Sequence, residues 1–155
     1  MIAREANNND VEQILNLLTQ VNNVHHDGRP DLFKKDVQKY SAEELQQIIE
    51  QKSMRIIVAV DEGCILGYAF CLVQDHKNDR NIIPEKTLYV DDICVDEASR
   101  GKRVGTFLFE NVKQLAKELG CYNVTLNVWS CNPVAQKFYQ SLGMKEQKIG
   151  MEFIL

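Results

Sequence analysis

The sequence predicts an α/β fold: one domain in which a mixed sheet carries helices on both faces. Three observations predict it. Runs of β-branched and apolar residues alternate with amphipathic stretches in the order β-α-α-β-β-β-α-β-α-β. Helix starts are marked by Ser41-Ala42-Glu43-Glu44, a capping box, and by Asn132-Pro133, an N-cap followed by proline at the first helical position. Helix ends are marked by Gly120 and Gly143, each following an apolar periodic run. A chain of 155 residues can bury about two thirds of its unfolded surface, so residues 1–155 need no second core.

In chain order, Ile2 to Glu5 reads as a short strand. Asn9 is then the expected N-cap of a first helix, with Glu12 at its third position and Val11, Ile14, Leu15, Leu18 and Val21 on one face. Residues from Asn22 to Tyr40 have no clear period and hold Gly28 and Pro30, which predicts a loop of the kind that often contacts substrate. His25 and His26 are adjacent and point in different directions, with no third ligand nearby, so no metal is expected. After the capped helix through Leu45, Ile48 and Ile49, Arg55 to Val60 and Cys64 to Val73 form a hairpin around Asp61-Glu62-Gly63. Gln74 to Arg80 is a polar loop, and a further strand follows Pro84. Tyr122 to Val128 alternates as a half-exposed strand, Ala135, Phe138, Tyr139 and Leu142 give the last helix an inner face, and Ile149 to Ile154 is a closing strand.

Composition narrows the function classes. A net charge of -4 argues against nonspecific nucleic-acid binding and suits a cationic substrate. Five cysteines, an odd number without C-x-x-C spacing, read as reduced thiols and suggest a reducing, cytoplasmic setting. No run reaches the eighteen or so apolar residues of a membrane span, and the first residues lack the apolar core of a secretion signal.

Chemistry concentrates between Val90 and Leu119. Leu88 and Val90 are apolar at even positions, Ile93 and Val95 at odd ones, and the parity slips across Asp91-Asp92. Side chains alternate with a period of two, so a slip inside one strand means an inserted residue, a β-bulge, which re-aims a carboxylate. Downstream, Arg100-Gly101-Lys102-Arg103-Val104-Gly105-Thr106 joins three cations and two glycines to a helix start, where unpaired N–H groups and the positive end of the helix dipole hold an anion. A nucleotide P-loop would need G-K-[S/T] at the end of its glycine loop, and this order is absent. Cys131 as a nucleophile has no histidine near it in sequence.

These residues resemble the GNAT superfamily of acyl-CoA-dependent N-acyltransferases. Arg100 and Gly105 match the first and last positions of its R/Q-x-x-G-x-G/A coenzyme motif, and Arg103 stands where the family usually has glycine. Asn132, Ala135, Phe138, Tyr139 and Gly143 match its N-x-x-A-x-x-F-Y-x-x-x-G-F motif, with Met144 replacing the aromatic. The resemblance implies a mostly antiparallel, twisted sheet of six to seven strands with splayed central strands and about four helices. It also implies acetyl-CoA as co-substrate, without a metal. The pyrophosphate would lie on Arg100, Gly101, Lys102, Arg103, Val104, Gly105 and Thr106. The pantetheine arm would meet the backbone of Ile93, Cys94 and Val95, with Asn132 and Tyr139 completing the coenzyme site.

The reaction so implied moves an acetyl group to a primary amine of a small molecule, a polyamine or a protein. An amine of pKa near 10.4 is protonated at pH 7 and must lose a proton before it attacks, which makes Asp91 or Asp92 the expected base. Asp92 is preferred, because it lies nearer the Ile93 to Val95 backbone, and the bulge is expected to aim only one of the two into the cleft. Tyr139 resembles the tyrosine that protonates the departing thiolate. A noncatalytic acyl-CoA-binding or regulatory module is the alternative, and retention of Tyr139 with Asp91 and Asp92 favours the enzyme. Members of the family often form dimers, so a homodimer is a further expectation.

Overall fold

In a computed structural model, which describes residues 1–83 and 85–155, the hairpin over Asp61-Glu62-Gly63 is the centre of a five-stranded sheet. Pro84, expected to end the loop before the fourth strand, lies outside the described residues. The strands are β1 (Ile2–Glu5), β2 (Arg55–Asp61), β3 (Cys64–Asp75), β4 (Lys86–Val95) and β5 (Asn123–Leu126), ordered β1-β2-β3-β4-β5. All neighbours are antiparallel except β4 and β5, which run parallel. The helices are α1 (Val11–Gly28), α2 (Ala42–Gln51), α3 (Val104–Glu118) and α4 (Pro133–Ser141).

Alternation along the strands divides the core into two layers. Val58, Tyr68, Phe70 and Cys94 face α1 and α2, packing with Ile14, Leu18 and Leu45. Ala59, Ala69, Cys71, Leu88 and Val90 face α3, packing with Val104, Leu108 and Val112. Burying an aliphatic side chain of this kind contributes about 1.5–3 kcal/mol, so the fully buried Leu88 and Leu108 fix α3 firmly against β4. The start of α3 is thereby anchored beside the middle of the sheet. By contrast, α4 buries no residue completely.

Several boundaries differ from expectation. The capping box at the first helix is built by Asn7 and Asp10 around a 3₁₀ turn, Asn8–Asp10, rather than by Asn9 and Glu12. Asp10 is the reason: its carboxylate accepts both the Asn7 N–H, at 2.8 Å, and the Arg4 guanidinium, at 2.6 Å, so the turn closes two residues early. Helix α1 runs on to Gly28 and takes in His25 and His26, shortening the expected loop. The expected strand Ile149 to Ile154 is not formed, so the sheet has five strands rather than six to seven. Residues 145–155 make no backbone ladder, and Ile149, Met151, Phe153 and Leu155 are exposed. Alternation fixes which side chains share a face but supplies no ladder partner, and among the described residues the tail's ion pair is Glu152 with Arg29.

Candidate active site

The parity slip is a bulge. Cys71 pairs with Val90 and Phe70 with Asp92, leaving Asp91 as the extra residue. Leu88, Val90, Ile93 and Val95 consequently all face the α3 layer. From the sequence the bulge is expected to aim one acid alone, and the structure differs: both carboxylates reach the α1/α2 side. The Tyr68 hydroxyl donates to Asp92 Oδ2 at 2.7 Å, and the Lys39 ammonium to Asp91 Oδ2 at 2.6 Å. The extra residue shortens the offset between consecutive side chains, which explains their common direction.

Burial raises Asp92 to about 6; the Tyr68 hydrogen bond and the Lys39 charge oppose the rise, and the Asp91 charge adds to it. Lys39 is pulled down by burial, but the Asp91 carboxylate outweighs this and leaves it above the usual lysine value. Tyr139 is half-buried, and burial together with the Asp92 and Cys94 side chains raises its hydroxyl well above the ordinary tyrosine range. It is therefore a neutral proton donor at pH 7, close enough to Asp92 to feel its charge. Tyr68 is displaced in the same direction, by burial first and Asp92 second.

The strands part at this point. The parallel ladder between β4 and β5 ends at Val90–Leu126, while β4 continues to Val95 paired only with β3. The backbone of Ile93, Cys94 and Val95 thus has an open side toward the diverging residues 127–129, as an added strand would require. Side chains here serve packing: Ile93 and Val95 lie against the α3 layer, and Cys94 is buried with its thiol 3.5 Å from the Leu17 carbonyl. Burial pushes the Cys94 thiol up to about 12, so it is no nucleophile at neutral pH.

Beyond Val95 the chain turns through Glu97–Ser99 into α3. Gly101 has φ 78° and Arg103 φ 63°, both left-handed. Arg103 therefore holds a left-handed conformation that glycine adopts more readily, and the turn forms with arginine at this position. A non-glycine residue there costs about 1–2 kcal/mol. No side chain caps α3, so the N–H groups of its first turn, around Val104, Gly105 and Thr106, stay open to an anion. Lys102 and Arg103 have no carboxylate partner among the described residues, and Arg100 is only 3.7 Å from Glu97. Gly105 has a second reason to be glycine: a Cβ there would meet the Phe138 ring at 2.9 Å. Phe138 thus rests on the start of α3, and Tyr139, next in sequence, lies near enough to Asp92 for that carboxylate to help raise its hydroxyl. The Asn132 side chain caps α4 by accepting the Ala135 N–H at 3.1 Å, so it shapes the site by starting the helix that carries Tyr139.

Several residues that line the cleft carry no signal in the sequence. Tyr40 stacks on Phe70 at 5.8 Å, and Lys39 sits 5.5 Å above the Tyr40 ring. Phe33 meets His25 at 5.1 Å and Trp129 edge-on at 5.4 Å. Burial, and then the Lys39 charge, hold His25 below its usual value. Among the described residues no group of three or more His, Cys, Asp or Glu is placed to hold a metal, and no helix is long and apolar enough to cross a membrane.

A splayed parallel pair, a bulge carrying acids, and an uncapped helix start behind a basic turn define an acyltransferase fold. A model of the acetyltransferase (GNAT) family matches residues 18–144, and the chain belongs to that family. It is similar to a mutant of the BH1408 protein from Bacillus halodurans, at 33% identity over 100% of this chain and 99% of that one, with a TM-score of 0.94. Over 84% of its length it is 31% identical to the probable glucosamine 6-phosphate N-acetyltransferase of Drosophila melanogaster, of which it spans 52%. The crystal structure of glucosamine-6-phosphate N-acetyltransferase from Arabidopsis thaliana shares the fold, with a TM-score of 0.72 at 24% identity over 99% of this chain and 97% of that one.

Proposed function

We propose that residues 1–155 form a single catalytic domain that transfers the acetyl group of acetyl-CoA to a primary amine of a small molecule by direct attack. The observation that carries this reading is Asp92: a partly buried, desolvated carboxylate raised to about 6, hydrogen-bonded to Tyr68 at the bulge where the strands part, within the influence of a neutral tyrosine hydroxyl. A base of that strength is mostly ionised at pH 7 yet closer to an ammonium in basicity than a solvated carboxylate, which suits proton removal directly or through one water. Asp91 contributes negative charge that attracts the acceptor ammonium. Tyr139 donates to the thiolate as it leaves. The coenzyme's pyrophosphate is held by the open N–H groups at Val104 to Thr106 with Arg100, Lys102 and Arg103, and its pantetheine arm by the free side of Ile93 to Val95. Asn132 orients α4.

A binding module without catalysis would have no use for a desolvated carboxylate at the bulge, since desolvating a charge costs stability even where a hydrogen bond offsets part of it. The named activity of the relatives supports an amino-sugar phosphate as the first acceptor to try, ahead of polyamines and protein amines. The reading includes a homodimer, supported by the unpaired edge of β5 and the exposed apolar tail from Ile149 to Leu155. It also includes a reducing, cytoplasmic compartment, supported by five free cysteines. The test is thiol release from acetyl-CoA against a panel containing glucosamine 6-phosphate, spermidine and a lysine peptide. Turnover with at least one small amine is expected, and absence of release with every amine would overturn it.

A further inference from the structure

One of the two acids, Asp91, already holds an amine. Lys39 belongs to the segment between α1 and α2 that covers the cleft, and its ammonium is 2.6 Å from Asp91 Oδ2 and 5.5 Å above the Tyr40 ring. A carboxylate on one side and an aromatic face on the other form the environment that recognises an alkylammonium. The side chain is about half exposed, at 49%, on a long flexible stem. It can therefore leave Asp91 and return without disturbing the fold. The position that Asp91 and Asp92 offer to an acceptor amine is thus occupied by a primary amine of the chain itself.

We propose that Lys39 is a self-acetylation site: with acetyl-CoA bound and no acceptor present, its Nζ takes the acetyl group in the same cleft. This inference rests on the acetyltransferase reading above. The Nζ–acetyl bond forms as the acetyl–sulfur bond breaks. Of the three ammonium protons, one stays on the amide, one passes through Asp92 to water, and one balances the sulfur that receives its proton from the Tyr139 hydroxyl. No oxidant, reductant or further reactant is required.

The modification has a consequence for the site. Asp92 faces Tyr68 from β3, Asp91 and Cys94 from its own strand, Tyr139 from α4 and Lys39 from the covering segment; Lys39 in turn faces Asp91, Asp92, Tyr40 and His25. Lys39 supplies the one positive charge among these groups while His25 is neutral. Acetylation removes it, leaves Asp91 without its partner, and moves the acid limb of the rate profile to higher pH. It also uncovers the acceptor position, because the amide no longer competes for the carboxylate.

The test uses the whole chain with acetyl-CoA alone, followed by intact mass and peptide mapping. The expected result is a gain of about 42 Da, one acetyl group for one proton, at Lys39. Its first-order rate constant should be independent of protein concentration and fall about 10²–10⁴-fold in Tyr139→Phe. Lys39→Arg, which keeps the charge and cannot be acylated under these conditions, should show no mark. Lys39→Gln should shift the acid limb of kcat/KM upward with an external amine. Thiol release with an external amine but no mark on Lys39 would overturn the inference and leave the acetyltransferase reading standing. A mark on Lys39 that is undiminished in Tyr139→Phe and Asp92→Asn would overturn it as uncatalysed chemistry. Neither mark nor thiol release would overturn both.

Discussion

At the β4 bulge, the proposed chemistry depends on side chains whose properties are changed by their surroundings: Asp92 is desolvated and accepts from the Tyr68 hydroxyl, Asp91 is paired with Lys39, and Tyr139 is raised by burial. At the Arg100 to Thr106 turn the reverse holds. The Arg100, Lys102 and Arg103 side chains are exposed, and the backbone does the organising through left-handed residues at Gly101 and Arg103 and an uncapped helix. In the proposed reaction one region would work through altered acidity and the other through fixed geometry. Substitutions should therefore damage them differently: loss of rate at the first with binding retained, and loss of binding at the second.

The largest effect is expected at Gly105. A Cβ at 2.9 Å from Phe138 must push α4 away from α3, and overpacking of this kind costs about 1–3 kcal/mol. Gly105→Val should lose measurable acetyl-CoA binding by calorimetry and melt at lower temperature. The pair Gly105→Ala with Phe138→Leu separates the two demands on this residue. Restored melting without restored binding would show that the phosphate needs the bare backbone.

Tyr139→Phe should reduce kcat about 10²–10⁴-fold while acetyl-CoA affinity stays near that of the wild type. The ring still packs beside Phe138, at 5.3 Å between centroids, and only the hydroxyl is lost. Equal losses in rate and binding would place Tyr139 with the geometric region instead.

Asp92→Asn should make the fold more stable even as it impairs the enzyme. The sign follows from the raised acidity constant. The native carboxyl binds its proton more tightly than the unfolded one, so the cost of ionising it in place appears as pH rises from about 4 to about 6 and persists above. Removing the ionisable group should stabilise the protein by about 1–3 kcal/mol above pH 6 and by little below pH 4. Thermal melts at pH 4 and pH 8 read the difference. A variant destabilised at pH 8 would contradict the assigned environment.

Smallest is Arg103→Gly. Glycine relieves the left-handed strain but gains freedom in the unfolded chain, so a net stabilisation of about 0.5–1 kcal/mol is expected, with coenzyme affinity kept or lowered slightly by the lost charge. Chemical denaturation measures the first and calorimetry the second.

What was legible in the sequence divides along the same line. The bulge could be read because it shifts the parity of Leu88, Val90, Ile93 and Val95, a purely local property. The capping box at Ser41 and the turn before α3 were legible for the same reason. Tyr68 and Lys39 were not, because each meets its carboxylate only through strand register or the path of a covering segment. Three consecutive asparagines made the first cap ambiguous, and Asp10, paired with Arg4 six residues earlier, decided it. The closing strand was misread because Ile149 to Ile154 alternates like a strand and the missing partner leaves no trace in the chain itself.

The central claim is that a desolvated, weakened acid at residue 92 removes the acceptor's proton. It is tested most directly by the pH dependence of kcat/KM for wild type, Asp92→Asn and Asp91→Asn with one responsive small amine. The account predicts a wild-type acid limb near the value of about 6 held by Asp92. That limb should be absent in Asp92→Asn, whose rate at pH 7 should be about 10²–10⁴-fold lower and recover in part at alkaline pH, where free amine is abundant. Asp91→Asn should keep the limb and raise KM. An Asp92→Asn profile that overlays the wild type would contradict the account.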